Sequence, residues 1–390
     1  MRVALVHDSL NPCGGAERLA LAMAKALKEG GHHVDLYVIE RTDWGRVKRI
    51  TPYSPDVVDN EYVLPPGRTL PSIYSRFAVW LFRDVAGMRT VKRREYDLVI
   101  VTKQLAVPVF ADIVYMHFPD FVSGFEYIYY PHRYLHNVLM RIYTQPSHIL
   151  SNALISLFKR IEYRPLVLTN SKFSAGVIRQ FLGVRALVLY PPVDVERYLP
   201  LSRIKERKRI VLTISRIEPV KGLDIIPEIA KHVKSGKFII VGSINSLGYY
   251  RLLASKIKAY GLEDSVKIIP NASEKLKAEL MSKAMVYLHP MRYEHFGIAV
   301  VEAMAAGLIP VVHKSGGPWT DVVEMGKYGK GFTDAIEAAH SIISIFESDE
   351  GELQEMRTRV ASKAIMYGYD NFKKSLFSGI IRAIERIRSV

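Results

Sequence analysis

The feature that most restricts the fold of this sequence is an alternation of short apolar runs with segments of helical periodicity. The runs of the first half are residues 3–7, 34–39, 98–102, 113–117, 166–169 and 187–190, and those of the second half are residues 210–214, 238–241, 266–269, 286–288 and 309–312. Runs that are apolar on both faces are typical of strands buried in a parallel sheet, and helices usually connect such strands. The alternation therefore predicts an α/β chain with two doubly wound, Rossmann-like domains.

The length of the chain agrees with this division, since 390 residues favour two domains over one. The boundary is predicted within residues 191–209, where three prolines precede a basic cluster. We expect an N-terminal domain over residues 1–193, a C-terminal domain over residues 194–370, and a last helix over residues 371–390 that returns to the N-terminal domain. Two such domains would face a central cleft, where small ligands usually bind.

Composition excludes several classes of protein. Apolar residues make up 49 % of the chain, far more than a disordered chain would hold. The single cysteine, Cys13, excludes an internal disulfide and a cysteine-ligated metal cluster. The first residues are interrupted by Asp8 and lack the apolar core of a signal peptide, and residues 142–158 are too few and too polar to span a membrane. We therefore expect no transmembrane helix.

Gly14 and Gly15 form the first candidate site, because they follow the first predicted strand and open the first predicted helix. Glycines at such a turn let backbone amides approach an oxyanion, and the start of a helix favours negative charge. A tight turn without a ligand would use the same residues. The three spaced glycines of a dinucleotide-binding fingerprint are missing here, so a nicotinamide or flavin cofactor is not expected.

The second candidate site is the loop after the first strand of the C-terminal domain. Arg216 and Lys221 lie five residues apart in this loop, at the carboxyl end of a predicted parallel strand. Two cations in this position suit a diphosphate. A solvated basic loop is the alternative interpretation of the same pair.

The third candidate site combines two glutamates, with Glu294 before a predicted helix and Glu302 inside it. Carboxylates bind hydroxyl-rich ligands because they accept hydrogen bonds from neighbouring hydroxyl groups. The amides of Phe296, Gly297 and Ile298 at the helix start would hold an anion. A capping acid and a surface acid are the alternative, but Glu302 has apolar neighbours, and an acid in such a stretch needs a partner.

Taken in order, these motifs resemble a known family. The chain carries GGAER at residues 14–18, an R-x-x-x-x-K-G loop at 216–222, EHFGIAVVE at 294–302 and SGGP at 315–318. This order is similar to that of family 4 of the glycosyltransferases, which are retaining enzymes of the two-domain GT-B fold. Residues 114–120, 169–178 and 189–195 further resemble the eukaryotic dolichol-pathway mannosyltransferases, which use GDP-mannose and extend a lipid-linked oligosaccharide on the cytosolic face of the membrane.

The resemblance implies a donor site with a separate task for each motif. Gly14 and Gly15 would approach the donor diphosphate from the N-terminal domain. Arg216 and Lys221 would neutralise this diphosphate, which becomes the leaving group, so their charges would act mainly on the transition state. Glu302 would accept hydrogen bonds from the ribose hydroxyls.

The resemblance also implies a reaction centre made of Glu294 and His117. Glu294, with the amides of Phe296, Gly297 and Ile298, would hold the donor sugar, and His117 would lie near that sugar. A hydrogen-bonded histidine at a strand end is the alternative for His117. The chain has no Asp-x-Asp pair, and its nearest approach, at residues 194–196, falls in the inter-domain linker. We therefore expect no metal ion and no cofactor beside the sugar nucleotide, which is a substrate.

The formal charge of +15 is concentrated locally in residues 68–94, which contain seven basic residues and one acidic residue. Arg76, Trp80, Arg83 and Arg93 represent the mixture of basic, aromatic and aliphatic side chains in this stretch, and residues 127–164 show a similar mixture. Such mixtures suit contact with an anionic membrane surface. A core-packing helix with a solvated basic face is the alternative. Nucleic acid is not an expected partner, because no recognised binding module is present.

The sequence therefore predicts a glycosyltransferase that is peripheral on the inner, cytoplasmic face of a membrane. The predicted reaction moves a hexose, with mannose from GDP-mannose as first choice, onto a polyprenyl- or dolichol-linked or cell-envelope glycan. A UDP-sugar donor, a GT-B sugar-nucleotide 2-epimerase and a non-catalytic lectin of the same fold are the alternatives that the sequence leaves open.

Overall fold

The computed structural model of the chain describes residues 1–64, 96–102, 111–119 and 165–388, together with residues 91, 149, 152, 153 and 156. The chain divides into two compact units. The first unit consists of Met1–Pro192 and Tyr369–Val390, and the second unit is Val193–Gly368.

The first unit is built on a seven-stranded parallel sheet. Its strands are β1 (Arg2–Val6), β2 (His33–Val38), β3 (Asn60–Val63), β4 (Leu98–Thr102), β5 (Ile113–Met116), β6 (Leu166–Thr169) and β7 (Leu187–Val188). Its described helices are α1 (Gly15–Glu29), α2 (Trp44–Ile50), α3 (Lys172–Leu182) and, at the end of the chain, α11 (Tyr369–Arg388). The strand order is β3-β2-β1-β4-β5-β6-β7, and every neighbouring pair is parallel.

Both faces of this sheet are buried, which is why its central strands are almost wholly apolar. Along β1, Val3 and Leu5 pack with α1 and α11 in one apolar cluster, whereas Ala4 and Val6 enter a second cluster that includes residues of α3. Successive side chains of a strand point to opposite faces, so these two clusters cover the two sides of the sheet.

Helix α11 is part of the first unit although it follows the second unit in the chain. Its buried residues Phe372, Leu376 and Ile380 belong to the same apolar cluster as α1. At its start, Tyr369 Oη and Lys373 Nζ both donate to Glu29 Oε2, at 3.0 Å and 2.7 Å. The last helix therefore completes the core of the unit that the first strand begins.

The second unit contains a six-stranded parallel sheet. Its strands are β8 (Lys208–Ile214), β9 (Lys237–Gly242), β10 (Val266–Pro270), β11 (Ala284–His289), β12 (Ile309–His313) and β13 (Lys330–Phe332), in the order β10-β9-β8-β11-β12-β13. Its helices are α4 (Val195–Ser202), α5 (Ile226–His232), α6 (Leu247–Ala259), α7 (Glu274–Lys283), α8 (Ile298–Ala305), α9 (Ala335–Glu347) and α10 (Glu350–Ile365). These two sheets confirm the predicted pair of doubly wound domains.

Each sheet has one point at which its strand order reverses. The reversal lies between β1 and β4 in the first unit and between β8 and β11 in the second. In doubly wound sheets, connections leave such a pair of strands toward opposite faces, so a crevice opens beyond their carboxyl ends. The loops that follow β8 and β11 therefore meet at the place where ligands usually bind in this type of fold.

The predicted membrane contact is not tested by the structure, because Arg76, Trp80, Arg83 and Arg93 lie outside the described residues. Within the described part of the chain, none of the helices combines the length and the apolar character that crossing a bilayer requires.

Candidate active site

The loop after β8 carries Arg216 and Lys221, the two cations predicted to face a diphosphate. Pro219–Lys221 forms a short 3-10 turn that ends at Gly222 with a φ of +61°. A Cβ atom at residue 222 would lie 3.3 Å from the carbonyl oxygen of Pro290, the residue after β11. Glycine therefore supplies both the left-handed conformation and the space that bring this loop against the neighbouring one.

Lys221 and Glu294, which the sequence places in separate motifs, form an ion pair in the folded chain. Lys221 Nζ lies 2.8 Å from Glu294 Oε2 and 3.0 Å from the Met291 sulfur. The two side chains are only 15 % and 17 % exposed. The pair sits at the reversal point of the second sheet, because Lys221 follows β8 and Glu294 follows β11.

The charge of Glu294 is set by its neighbours. Burial on its own raises the pKa of this carboxyl, but the Lys221 ammonium, followed by His289 and His295, outweighs burial and holds the pKa at about 2. The backbone N–H of His295 also donates to Glu294 Oε1, at 3.2 Å. Glu294 is therefore an ionised, oriented acceptor at neutral pH.

His289, the last residue of β11, is a site residue that the sequence analysis did not identify. Its ring stacks on Tyr287 with a centroid distance of 6.4 Å, and its Nε2 atom lies 3.8 Å from Glu294 Oε2. Burial first, and then the charge of Lys221, lower the pKa of His289 to about 4, against the opposing effect of Glu294. The ring is thus neutral at physiological pH. Its position at the end of a strand beside the reversal point was the one signal available in the sequence.

The SGGP segment holds the backbone that carries Glu294. Gly317 N donates to the carbonyl oxygen of Glu294 at 2.8 Å. A Cβ atom at Gly316 would lie 2.3 Å from that same oxygen, and a Cβ atom at Gly317 would lie 2.2 Å from the carbonyl oxygen of His295. Only residues without a side chain allow this approach, so the two glycines position Glu294.

Ser315 fixes the same loop from the side. Its hydroxyl accepts from the backbone N–H of Tyr293 at 2.9 Å and pairs with His313 Nδ1 at 2.8 Å. Tyr293 has a φ of +54°, a conformation that a residue with a side chain rarely adopts. Backbone strain of this kind persists where the surrounding structure holds it in place, and it is common at functional sites.

Helix α8 begins directly after this loop. Gly297 caps it with a φ of +93°, and a Cβ atom at this position would lie 2.9 Å from Pro318 Cγ. Phe296 is buried against Tyr367, with a centroid distance of 5.3 Å. The predicted amides of Phe296, Gly297 and Ile298 thus lie at the positive end of a helix, beside the loop of Glu294.

Glu302 lies inside α8 and is half-buried. Burial raises the pKa values of Tyr198 and Tyr287, and in both cases the charge of Glu302 adds to the rise. The carboxylate therefore lies near two phenolic groups of the second unit.

In the first unit, the glycine turn is closed by an acid from its own motif. Gly14 N donates to Glu17 Oε2 at 2.8 Å, so Glu17 caps the start of α1. Cys13, which precedes Gly14 and Gly15, has a φ of +53°. Glu17, the acid of the GGAER motif, therefore has a structural role, and the Gly14 amide already donates a hydrogen bond within the chain.

His117 follows β5 at the carboxyl edge of the first sheet. Its half-buried ring packs edge-on against Tyr115, with a centroid distance of 4.8 Å. This is the strand-end position that the sequence predicted, and its role near the donor sugar stays a prediction. Among the residues that the structure describes, no group of three or more His, Cys, Asp or Glu side chains could hold a metal ion.

Comparison with known proteins identifies the class. The model described as Glycosyltransferase Family 4 matches residues 13–197, and the model described as Glycosyl transferases group 1 matches residues 194–365. HepE from Anabaena, solved in complex with UDP, superposes with a TM-score of 0.72 at 20 % identity over 98 % of this chain and 100 % of that one. Sucrose-phosphate synthase from Thermosynechococcus elongatus gives 0.72 at 17 % identity over the same shares. The chain belongs to family 4 of the glycosyltransferases and has the GT-B fold, which confirms the family predicted from the motifs.

Its named relatives include dolichol-pathway mannosyltransferases. The chain is 28 % identical over 242 residues to "GDP-Man:Man(3)GlcNAc(2)-PP-Dol alpha-1,2-mannosyltransferase" of Dictyostelium discoideum, covering 56 % of this chain and 47 % of the relative. It is 26 % identical over 388 residues to "Alpha-1,3/1,6-mannosyltransferase ALG2" of Kluyveromyces lactis, covering 83 % of this chain and 71 % of the relative. The chain thus spans about half the length of the first of these relatives.

Proposed function

We propose that this chain is a retaining hexosyltransferase that moves mannose from GDP-mannose onto a lipid-linked glycan. The observation that carries the proposal is the pairing of Lys221 with Glu294 at the reversal point of the second sheet. A largely buried cation and an ionised carboxylate, 2.8 Å apart, offer one partner for phosphate oxygens and one for sugar hydroxyls at the same place.

The cations act on the leaving group. When the glycosidic bond breaks, negative charge builds up on the departing nucleoside diphosphate, and nearby cations stabilise this charge more than that of the bound donor. Lys221 is held inside the site, whereas the Arg216 side chain is 58 % exposed and pairs with Glu218 at 3.0 Å. We propose that these two cations supply the positive charge that a metal ion supplies in other transferases, so that no metal is required.

Glu294 holds the donor sugar in this proposal. Its carboxylate accepts from sugar hydroxyls, with the amides of residues 296–298 beside it, and Glu302 accepts from the ribose. The family motif also assigns Gly14 and Gly15 to diphosphate binding and His117 to the sugar; because the Gly14 amide donates to Glu17, the Gly15 amide is the one that we propose for this role. The support for these assignments is the match of each residue to the family motif and, for Glu294, the two glycines packed on its backbone.

The acceptor in this proposal is a polyprenyl- or dolichol-linked glycan, and the enzyme works as a peripheral protein on the cytoplasmic face of a membrane. The support is the names of the relatives, which act on dolichol-linked substrates, and the basic, aromatic-rich stretch 68–94. Binding to vesicles with and without anionic lipid tests this part of the proposal, and equal binding to both would contradict it.

A UDP-sugar donor is the second candidate, because the HepE structure holds UDP. Calorimetric titration with GDP-mannose and with UDP-glucose separates the two. Tighter binding of UDP-glucose would replace GDP-mannose in the proposal and leave the transferase reaction unchanged.

Transfer of mannose to a lipid-linked oligosaccharide by Glu294→Gln tests the proposed role directly. We expect the rate to fall by about 100-fold or more, because the variant loses a charged acceptor at the reaction centre. Glu279→Gln is the matched control, since Glu279 is exposed on α7, and it should keep the wild-type rate. Transfer by the Glu294 variant at the control rate would remove this residue from the proposed site, and loss of transfer in EDTA would contradict metal independence.

A further inference from the structure

His289 is a buried titratable group that the proposed reaction does not use. Its side chain is 6 % exposed, and neither ring nitrogen has a hydrogen-bond partner among the residues that the structure describes. An imidazole always carries at least one N–H, and a buried N–H without an acceptor is costly. The unpartnered ring therefore indicates that its acceptor is bound by another donor in the ligand-free protein.

The carboxylate of Glu294 is the acceptor that faces this ring. Its Oε2 atom lies 3.8 Å from His289 Nε2 and 2.8 Å from Lys221 Nζ. The first distance exceeds hydrogen-bonding range, and the second is a good hydrogen bond. Lys221 and His289 are thus two donors that face the same oxygen atom, and Lys221 makes the hydrogen bond.

Lys221 is bound in a way that lets it leave. Its further contact is with the Met291 sulfur at 3.0 Å, and a thioether is a weak acceptor. Phosphate oxygens are strong acceptors for an ammonium group. When Lys221 turns to a diphosphate, the largely buried carboxylate of Glu294 loses the cation that compensates its charge.

We propose that His289 is the positioning residue that replaces Lys221 on Glu294: when the donor binds, the ring donates from Nε2 to Glu294 Oε2 and takes up one proton from solvent. This inference rests on the proposed function, because it requires Lys221 to bind the donor diphosphate. A shift of about 1 Å brings the two atoms into hydrogen-bonding range. Glu294 then stays ionised and oriented while the lysine serves the leaving group.

The charges around the ring determine the direction of the proton transfer. The titratable groups are Lys221 from the loop after β8, Tyr287 on the same strand as the ring, Glu294 and His295 before α8, and Glu302 within α8. Lys221 lowers the pKa of His289 and Glu294 raises it. Tyr287 stays neutral because burial raises its pKa. When the donor binds, the pKa of His289 rises for two reasons: the Lys221 charge is transferred to the donor, and the diphosphate adds negative charge. Binding of the donor therefore takes up a proton.

Calorimetric titration of the full chain with GDP-mannose, in buffers of different ionisation enthalpy and without acceptor, measures this proton. Both phosphates of a sugar nucleotide are esterified, so the donor itself does not titrate near neutrality. We expect the wild type to take up close to one proton at about pH 5.5 and less at about pH 7.5. His289→Gln, whose amide nitrogen takes the place of the ring Nε2 as a donor but cannot be protonated in this range, should take up none. His340→Gln, at an exposed position of α9, is the matched control and should behave as the wild type.

Steady-state kinetics provide the second readout. We expect His289→Gln to keep kcat within about tenfold of the wild type and His289→Phe, which has no donor, to lose about 100-fold in kcat with little change in KM. Thermal unfolding checks that both variants fold, and the Gln variant carries the test if the Phe variant does not.

The outcomes separate the inference from the function on which it rests. Donor binding with equal proton uptake in the wild type and in His289→Gln would overturn the inference alone, and so would equal kcat values for the Gln and Phe variants. Failure of both GDP-mannose and UDP-glucose to bind would overturn the proposed function and the inference together.

Discussion

At the scale of single residues, the ion pair between Lys221 and Glu294 is unequal. If Glu294 is removed, Lys221 still has the donor diphosphate as its proposed partner. Without Lys221, the carboxylate has no other cation at hydrogen-bonding distance in the described part of the chain, and burial raises its pKa. Breaking a buried pair is costly mainly because of the charge that is left behind.

Lys221→Met tests this asymmetry. We expect donor affinity and the transfer rate each to fall by at least about tenfold, and the acid limb of the pH–rate profile to move upward because the pKa of Glu294 rises. Steady-state kinetics as a function of pH measure both effects. Lys283→Met removes a lysine from an exposed ion pair with Glu279 and should leave the profile unchanged. An unshifted acid limb in the Lys221 variant would contradict the assigned coupling.

His289 also makes the stability of the second unit depend on pH. Its folded-state pKa of about 4 lies below the ordinary value of 6.5, so the unfolded chain binds more protons between these values. Stability is therefore lost as the pH falls through this window, by about 2 kcal/mol between neutrality and pH 5. Hydrogen exchange of the amides of β11 at several pH values measures the loss. His289→Gln should lack this contribution, whereas the exposed His340→Gln variant should keep it.

The residues of the candidate site differ in how far the sequence could identify them. Arg216, Lys221, Glu294 and Glu302 were found because their spacing matches a family motif. His289 was not found, because its interest lies in a missing hydrogen bond and a neighbour five residues away, and neither can be read from residue order. The pairing of Lys221 with Glu294 was likewise hidden, since it depends on which strands become neighbours in the sheet.

At the scale of elements, the SGGP segment acts as a support for the loop after β11. Gly316 has a φ of +76°, and the Cβ positions of Gly316 and Gly317 collide with the backbone of Glu294 and His295. The sequence identified this segment as part of the family pattern. Its task became clear only from the close approach of two backbones, which leaves no trace in the sequence except the glycines.

Gly317→Ala measures the importance of this support. A methyl group would lie 2.2 Å from the carbonyl oxygen of His295, so the Glu294 loop must move. We expect a loss of stability of about 1–3 kcal/mol and a fall in transfer rate of at least about tenfold. Gly176→Ala is the control, because a Cβ atom there has nothing within 4 Å, and in helix α3 it should stabilise slightly. Thermal unfolding and kinetics of both variants give the comparison, and equal rates would contradict the support role.

The sequence predicted all the central strands of the two sheets and, of the four edge strands, β7 and β10 but not the other two. Strands such as β1, β4 and β11 are buried on both faces, so their residues form recognisable apolar runs. The edge strands β3 and β13 were not predicted, because β3 is partly exposed and polar and β13 has three residues with a glycine in the middle. A strand with one open side has less need of apolar side chains, and its pattern weakens accordingly.

At the scale of the whole molecule, the chain leaves the first unit after Pro192 and returns to it at Tyr369. The returning helix α11 contributes buried side chains to the core of that unit. The first unit thus depends for its stability on residues from both ends of the sequence.

Leu376→Ala in α11 measures this dependence. Leu376 is fully buried in the cluster shared with α1, so its truncation should cost about 2–5 kcal/mol. Ile381→Ala, on the same helix but 57 % exposed, should cost less than about 0.5 kcal/mol. Urea unfolding of the two variants and the wild type measures the difference, and similar midpoints for both variants would show that α11 is not part of this core.

The path of the chain through the two units has a consequence for how the protein can be produced in parts. One uninterrupted gene segment, codons 193–368, encodes the second unit. The first unit is encoded in two separate segments, and any shortened gene that stops before codon 369 omits a helix of its core. Isolating the first unit therefore requires an internal deletion that joins its two segments, rather than a stop codon.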